Sequence, residues 1–251
     1  MPLAGSYAAG RWWSAASGPP IALPAMADLR RLLPPKARSV ARRVRNLPVS
    51  IGYFRGPLLM SWLRKRWVLF RNPHANIRFG RHTYLGPGFS LHMPFGGTFV
   101  TGEGVEFRRK FRAELAGRDS RIEFGAGSVC TYDVLMQCGT TIVIGERCMF
   151  GQSTMVVDGN HRFRDLDKPM LQQGYDFNPI RIADDAVVTT KCTIIGADIG
   201  TRAFIGANSV VTRDVPAYCL AVGMPAKVID YFGPEGSEPA ELSEANSERS
   251  G

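Results

Sequence analysis

Large aliphatic or aromatic residues recur every six positions through most of this chain, and the positions between them are small or polar. The beat runs Phe79, Leu85, Leu91, then Thr101, Phe107, Ala113, then Phe124, Cys130, Met136. After a two-residue slip it continues as Ile144, Phe150, Val156; later it resumes as Ile182, Val188, Ile194 and, one residue short, as Ile199, Ile205, Val211. The next residue is often Gly or Ala (Gly80, Gly86, Gly125, Gly145, Gly151, Ala183, Gly200, Gly206). Neither a helical period of about 3.6 nor strict strand alternation generates this pattern. It predicts a prism in which each flat face turns one side chain inward. Three faces then close a coil of about eighteen residues, and stacked coils bury a continuous core. Glycine beside each inward residue is expected to supply the tight corner. The fold class is an all-β solenoid, with about six coils between Ile77 and Val215 on this count of a repeat architecture.

The beat halts between Val156 and Ile182, which predicts an unstructured loop over 158–179. Loops of that length are uncommon in compact folds and usually functional. It opens on Asp158-Gly159-Asn160-His161, and its Arg162, Arg164, Asp165, Tyr175 and Phe177 supply charged and aromatic groups suited to a sugar or a larger polar acceptor.

Before the solenoid, residues 1–27 read as a disordered extension, with Met26 a candidate start codon. Residues 28–72 read as a basic amphipathic segment with two helices, Ser39–Asn46 and Pro57–Phe70, separated by Pro48 and Gly52. The second carries Leu58, Leu59, Trp62, Leu63, Trp67, Leu69 and Phe70 beside Arg64, Lys65 and Arg66. Such a face either packs across the open end of a solenoid or lies on a membrane surface. The solenoid domain spans 73–232, and a Glu-, Ser- and Pro-rich tail over 233–251 reads as disordered.

Charge sharpens this division. Residues 1–72 hold 13 Lys and Arg against one acid, Asp28, whereas 73–251 hold 18 against 21. The formal net charge of +9 therefore belongs to the N-terminal segment. A basic arm attracts anionic lipid, nucleic acid or acidic polymers; contact with anionic membrane through 28–72 is the reading kept, and nucleic acid is not expected. Cys130, Cys138, Cys148, Cys192 and Cys219 are odd in number and form no C-x-x-C pair. They occupy small-residue slots, which argues against a disulfide framework and fits a reducing compartment. No apolar run approaches a spanning length, so the expected location is the cytoplasm, peripheral to the inner face of the membrane.

Pro179 to Ile229 reads PIRIADDAVVTTKCTIIGADIGTRAFIGANSVVTRDVPAYCLAVGMPAKVI. This resembles the hexapeptide-repeat acetyltransferases, the maltose, galactoside and nodulation-factor O-acetyltransferases and the related polysaccharide acetyltransferases. GANSVVTRDVP and AVGMPAKVI are its most specific parts, and the resemblance covers about residues 120–230. It implies a left-handed parallel β-helix, a homotrimer, acetyl-CoA as co-substrate and no metal. In that family a histidine heads the extruded loop, a position matched by His161, which is then the general base for attack of a hydroxyl on the thioester. Imidazole chemistry suits the step, because a group titrating near neutrality removes the hydroxyl proton and returns it to the thiolate.

The family's coenzyme A residues match Thr190, Ala207, Thr212, Arg213 and Lys227, the two cations toward the nucleotide phosphates. Asp158, Asn160, Arg162 and Tyr175 are the expected acceptor-side residues, with Asp158 or a main-chain carbonyl orienting the ring. His74, His82 and His92 read as structural or surface residues. Three departures from the family stand out: Val187-Val188-Thr189 replaces Trp-Ile-Gly, Asp230 replaces a basic residue, and Thr131 replaces the acceptor-site asparagine of the sugar acetyltransferases. The function implied is O-acetylation of a saccharide or cell-envelope glycan precursor. N-acylation of an amino sugar or xenobiotic, and a non-catalytic scaffold recruited by the basic arm, are the alternatives. The zinc carbonic anhydrases share the solenoid but need three histidines on one metal, and no paired spacing near His161 supplies them.

Overall fold

The structure, a computed structural model, describes residues 56–237 and residue 239. The extension 1–27, the expected helix Ser39–Asn46 and most of the acidic tail lie outside the described residues. Contacts divide the chain between Met60 and Ser61; of the first unit only residues 56–60 are described, as the opening of a helix.

The second unit is a three-sided parallel β-helix. Its first face stacks Asn76–Arg78, Thr98–Thr101, Arg121–Phe124, Thr141–Ile144 and Ile180–Ile182, extended by single bridges at Ile199 and Val215. The second stacks Tyr84–Leu85, Glu106–Arg109, Val129–Tyr132, Met149–Phe150, Val187–Val188, Phe204–Ile205 and Cys219–Gly223, and the antiparallel strand Ala226–Tyr231 closes its end. Ser90–His92, Arg112–Leu115, Leu135–Cys138, Met155–Val157, Thr193–Ile195 and Val210–Val211 form the third. Six full coils and part of a seventh result, in line with the spacing.

Register carries the six-residue beat directly into the core. On the second face Leu85, Phe107, Cys130, Phe150, Val188, Ile205 and Ala221 pair in one column, all fully buried. The early coils are filled by aromatic rings: Phe107 lies 4.4 Å from Phe111 and 5.1 Å from Phe124, centroid to centroid. Later coils use Val, Ile, Ala and Cys, so the core narrows in side-chain volume along the axis.

The corners correct one expectation. Gly80, Gly125, Gly145, Gly151 and Gly200 do not adopt positive φ; a Cβ on any of them would lie within 3.0 Å of the next coil's backbone. They permit close stacking rather than unusual backbone angles. The left-handed residue falls two positions later and is usually not glycine: His82, Arg147, Asp185, Arg202 and Tyr218 at one corner, and Lys110, Asp133, Ser153, Lys191 and Asn208 at the next. Steric cost at these positions is offset by a recurring backbone bond. Arg147 N–H donates to Ala126 O at 2.8 Å, Asp133 to Arg109 O at 2.9 Å and Lys191 to Gln152 O at 2.7 Å, each tying one coil to the one before.

The helix Gly56–Arg71 closely matches its predicted span. Ser61, Arg64 and Val68 meet the first coil: Leu85 N–H donates to Ser61 Oγ, and the Arg64 guanidinium to Leu85 O, both at 2.8 Å. Leu85 lies on the lowest rung of its sheet, where main-chain groups would otherwise lack partners. The helix does cap the solenoid, but through its small and polar side. Trp62, Leu63, Trp67, Leu69 and Phe70 face away and are exposed.

Candidate active site

The chain leaves the third face after Val157 and rejoins the first at Ile180. The excursion between them is not unstructured. Gly159–His161 pairs antiparallel with Tyr175–Phe177, with His161 opposite Tyr175 and Asn160 opposite Asp176. Beyond the hairpin, Gln173 organises the tip by donating to Asp165 O and Lys168 O at 2.8 and 2.9 Å while accepting from Asp165 N–H at 3.0 Å.

Two features fix the hairpin's base. The Phe177 ring lies where a Cβ on Gly139 or Gly159 would stand, so glycine at both positions makes its seat. Asp158 continues the inward column of Leu115 and Cys138 and is buried. Its Oδ1 accepts from Gly139 N–H at 2.7 Å, and its Oδ2 from Thr140 N–H at 2.7 Å and the Thr140 hydroxyl at 2.9 Å. The two carboxyl oxygens together offer enough lone pairs to accept all three. This corrects the expectation for Asp158: with both oxygens engaged beneath the hairpin, it anchors the loop instead of facing an acceptor. No hydrogen bond joins it to the His161 ring, whose ring contact among the described residues is with Tyr175.

Alternation along the paired strands sets His161 with Tyr175 and Phe177 on one side, and Asn160, Arg162 and Asp176 on the other. The His161 ring lies 4.3 Å from Tyr175, and Tyr175 stacks on Phe177 at 5.7 Å. An unbroken aromatic run thus leads from the glycine seat to the imidazole. Arg162 Nε bonds Asp176 Oδ1 at 2.6 Å and stiffens the opposite side. His161 is exposed, and no side-chain hydrogen bond or ion pair joins its ring nitrogens to a described residue. It borders an open depression of about 300 Å³ with Arg162, Arg164, Asp165, Lys168 and Gln173.

The expected coenzyme A residues lie on the later coils. Thr190 and Ala207 occupy successive rungs of one corner, joined where Asn208 N–H donates to Thr190 O at 3.0 Å. Thr212 and Arg213 sit at the far end of the strand Val210–Val211, on the corner from which the hairpin springs two coils earlier. Lys227 lies opposite Val222 in the closing antiparallel pair. All five are exposed, and neither Arg213 nor Lys227 enters an ion pair among the described residues. Exposed cations without an ion-pair partner suit a phosphate-bearing co-substrate.

Thr131 presents a buried Oγ1 without a partner, and Asp230 pairs opposite Leu220. His74 Nε2 bonds Met93 O at 2.8 Å, His82 turns a corner, and His92 is exposed; none approaches His161 in the topology. No three His, Cys, Asp or Glu side chains cluster for a metal among the described residues. Sequence reasoning missed the Gly139–Phe177 seat, because a glycine one residue past the inward Cys138 looks like any other corner glycine of the repeat.

A probable acetyltransferase of Mycobacterium tuberculosis is 29% identical over 174 residues, covering 67% of this chain and 57% of the relative. The galactoside O-acetyltransferase of Lactococcus lactis is 26% identical over 129 residues, 51% of this chain and 60% of the relative. Its relatives are acetyltransferases. The resemblance carried by Pro179–Ile229 therefore extends to curated relatives, and this chain spans less than two thirds of the length of each. Among solved structures, an N-acyltransferase of Bacillus cereus in complex with dTDP-4-amino-4,6-dideoxyglucose and coenzyme A covers 76% of this chain and 95% of its own, at 14% identity and TM-score 0.55. At that identity the likeness is one of fold. No protein-family model matches the chain.

Proposed function

We propose that this protein is an acetyl-CoA-dependent O-acetyltransferase acting on a hydroxyl of a saccharide or cell-envelope glycan precursor, with His161 as general base. The observation that carries the reading is the hairpin itself: a solenoid suspends its repeat to hold one imidazole on an aromatic run seated against its wall. In the reaction, imidazole takes the acceptor's hydroxyl proton as the oxygen bonds to the thioester carbon. The tetrahedral adduct then collapses, the C–S bond breaks, and the imidazolium proton passes to the departing thiolate. General base catalysis of this kind is worth roughly 10²- to 10⁴-fold, and holding both reactants together supplies much of the rest.

Thr190 and Ala207 would line the pantetheine arm, and Thr212, Arg213 and Lys227 the nucleotide end. Asn160, Arg162 and Tyr175 remain the acceptor-side residues. The charged rim of Arg162, Arg164 and Lys168 suits an acceptor bearing an acidic group or several hydroxyls.

The assembly we infer is a homotrimer with the site completed at a seam between copies. Two features support it. Leu166 and Leu171 at the hairpin tip are 97% and 87% exposed, a poor arrangement for a free surface. The outward column Val129, Met149, Val187 and Phe204 is apolar through four successive coils.

The test is release of free thiol from acetyl-CoA against matched panels of polyols, sugar nucleotides and amino sugars. Hydroxyl-dependent release supports the reading. Release with amines alone would replace it by N-acylation, and release with neither would favour the scaffold.

A further inference from the structure

The face of the helix Gly56–Arg71 turned away from the solenoid has no role in the proposed acyl transfer. At about 100° per residue, Ser61, Arg64 and Val68 fall on the side that meets Leu85, and Trp62, Leu63, Arg66, Trp67 and Phe70 fall on the opposite side. Trp62, Trp67 and Phe70 are 51%, 58% and 76% exposed. The Arg66 guanidinium lies over the Trp62 ring at 5.4 Å, and Trp67 meets Phe70 at 5.9 Å, so the outward side is a mixed surface of aromatic rings and cations. Water is a poor solvent for such a cluster, and a neighbouring coil of the solenoid does not cover it.

Charge decides what would. The helix carries Arg64, Lys65, Arg66 and Arg71 and no acid, and the chain holds no Asp or Glu anywhere between Leu29 and Gly102. Indole rings and arginine beside one another suit the headgroup layer of a bilayer, where the ring's apolar body sinks and its polar edge stays hydrated. No described helix is long and apolar enough to cross a membrane, so the helix would lie in the surface plane. We propose that the outward face of Ser61–Arg71 docks this protein onto bilayers containing anionic phospholipid, placing the end of the solenoid that begins at Asn76 against the membrane. The hairpin, three coils further along the axis, would then face an acceptor brought to or held at that surface.

Flotation of the full chain with phosphatidylcholine vesicles, with and without phosphatidylglycerol, tests this. The expected result is binding to the anionic vesicles alone, weakening as salt rises. Combined Trp62→Ser, Trp67→Ser and Phe70→Ser substitution should abolish binding while leaving soluble acyl transfer and the melting profile intact. Arg66→Gln should lower partitioning by roughly fivefold. Equal binding to both vesicle types, undiminished binding of the triple variant, or no binding by the full chain would each overturn the proposal. So would a triple variant that loses oligomer mass without lipid being involved, since a second copy would then be the occupant of this face.

Discussion

Replacing Asp158 with alanine strips three short acceptor contacts, and a longer one from the Cys138 thiol at 3.6 Å, from the base of the hairpin at once. The Gly139 and Thr140 amides, each bonded to the carboxylate at 2.7 Å, lose their partner, and the Thr140 hydroxyl is freed to turn elsewhere. A buried donor left unpaired costs roughly 1–3 kcal/mol. Gly139 and Thr140 are half-buried and water can reach them, so the lower part of that range applies, giving about 2–3 kcal/mol for two amides. Asparagine keeps one carbonyl acceptor but turns an NH₂ toward the other amide, which predicts about half that loss. Urea unfolding should rank wild type, Asp158→Asn and Asp158→Ala in that order. Hydrogen exchange should speed up at Gly139, Thr140 and the Gly159–His161 strand before it does so at core amides such as Phe107. Turnover should fall with hairpin protection, while acetyl-CoA affinity holds. An alanine variant with wild-type protection and turnover would refute the role given to Asp158.

The Phe177 seat gives a second prediction: Gly139→Ala should displace the ring and, through Tyr175, the imidazole, lowering kcat with little change in melting temperature, and Phe177→Leu should partly restore it. Phe107→Ala, at the centre of the aromatic coils, should cost about 3–5 kcal/mol in equilibrium unfolding. Burial pushes the Cys138 thiol up to about 12, with the nearby Asp158 charge adding to it, and burial likewise takes Cys148 to about 11. Since thiolate is the reactive form, neither should be alkylated in the native protein near neutral pH, and mass spectrometry should show both modified only in denaturant. Arg213→Gln and Lys227→Gln should raise KM for acetyl-CoA several-fold yet leave acetyl-pantetheine, which lacks the nucleotide, nearly unaffected.

The solenoid was legible because its core is built by a local rule. Each six-residue step delivers one side chain to one face, so Leu85, Phe107, Cys130 and Phe150 could be aligned without knowing the register between coils. What escaped the sequence depends on contacts between coils. Glycine after an inward residue looks like a turn former, and only the stacked backbones show that Gly145 and Gly151 avoid a collision instead. Asp158 looks like an active-site acid because it lies three residues before His161; its burial follows from Gly139 and Thr140 presenting two amides a full coil earlier. The helix was placed well, yet its apolar side faces outward because Ser61 and Arg64 answer the unpaired groups of Leu85. Pattern analysis weighs hydrophobicity and does not count orphaned hydrogen bonds.

The most direct test of the account is the steady-state rate of thiol release by His161→Ala with the best acceptor from the panels, alongside its acetyl-CoA affinity and melting profile. A general base predicts a fall of roughly 10²- to 10⁴-fold in kcat/KM, with affinity and folding unchanged. A correctly folded variant turning over at the wild-type rate would contradict it, and the hairpin would have to serve binding alone.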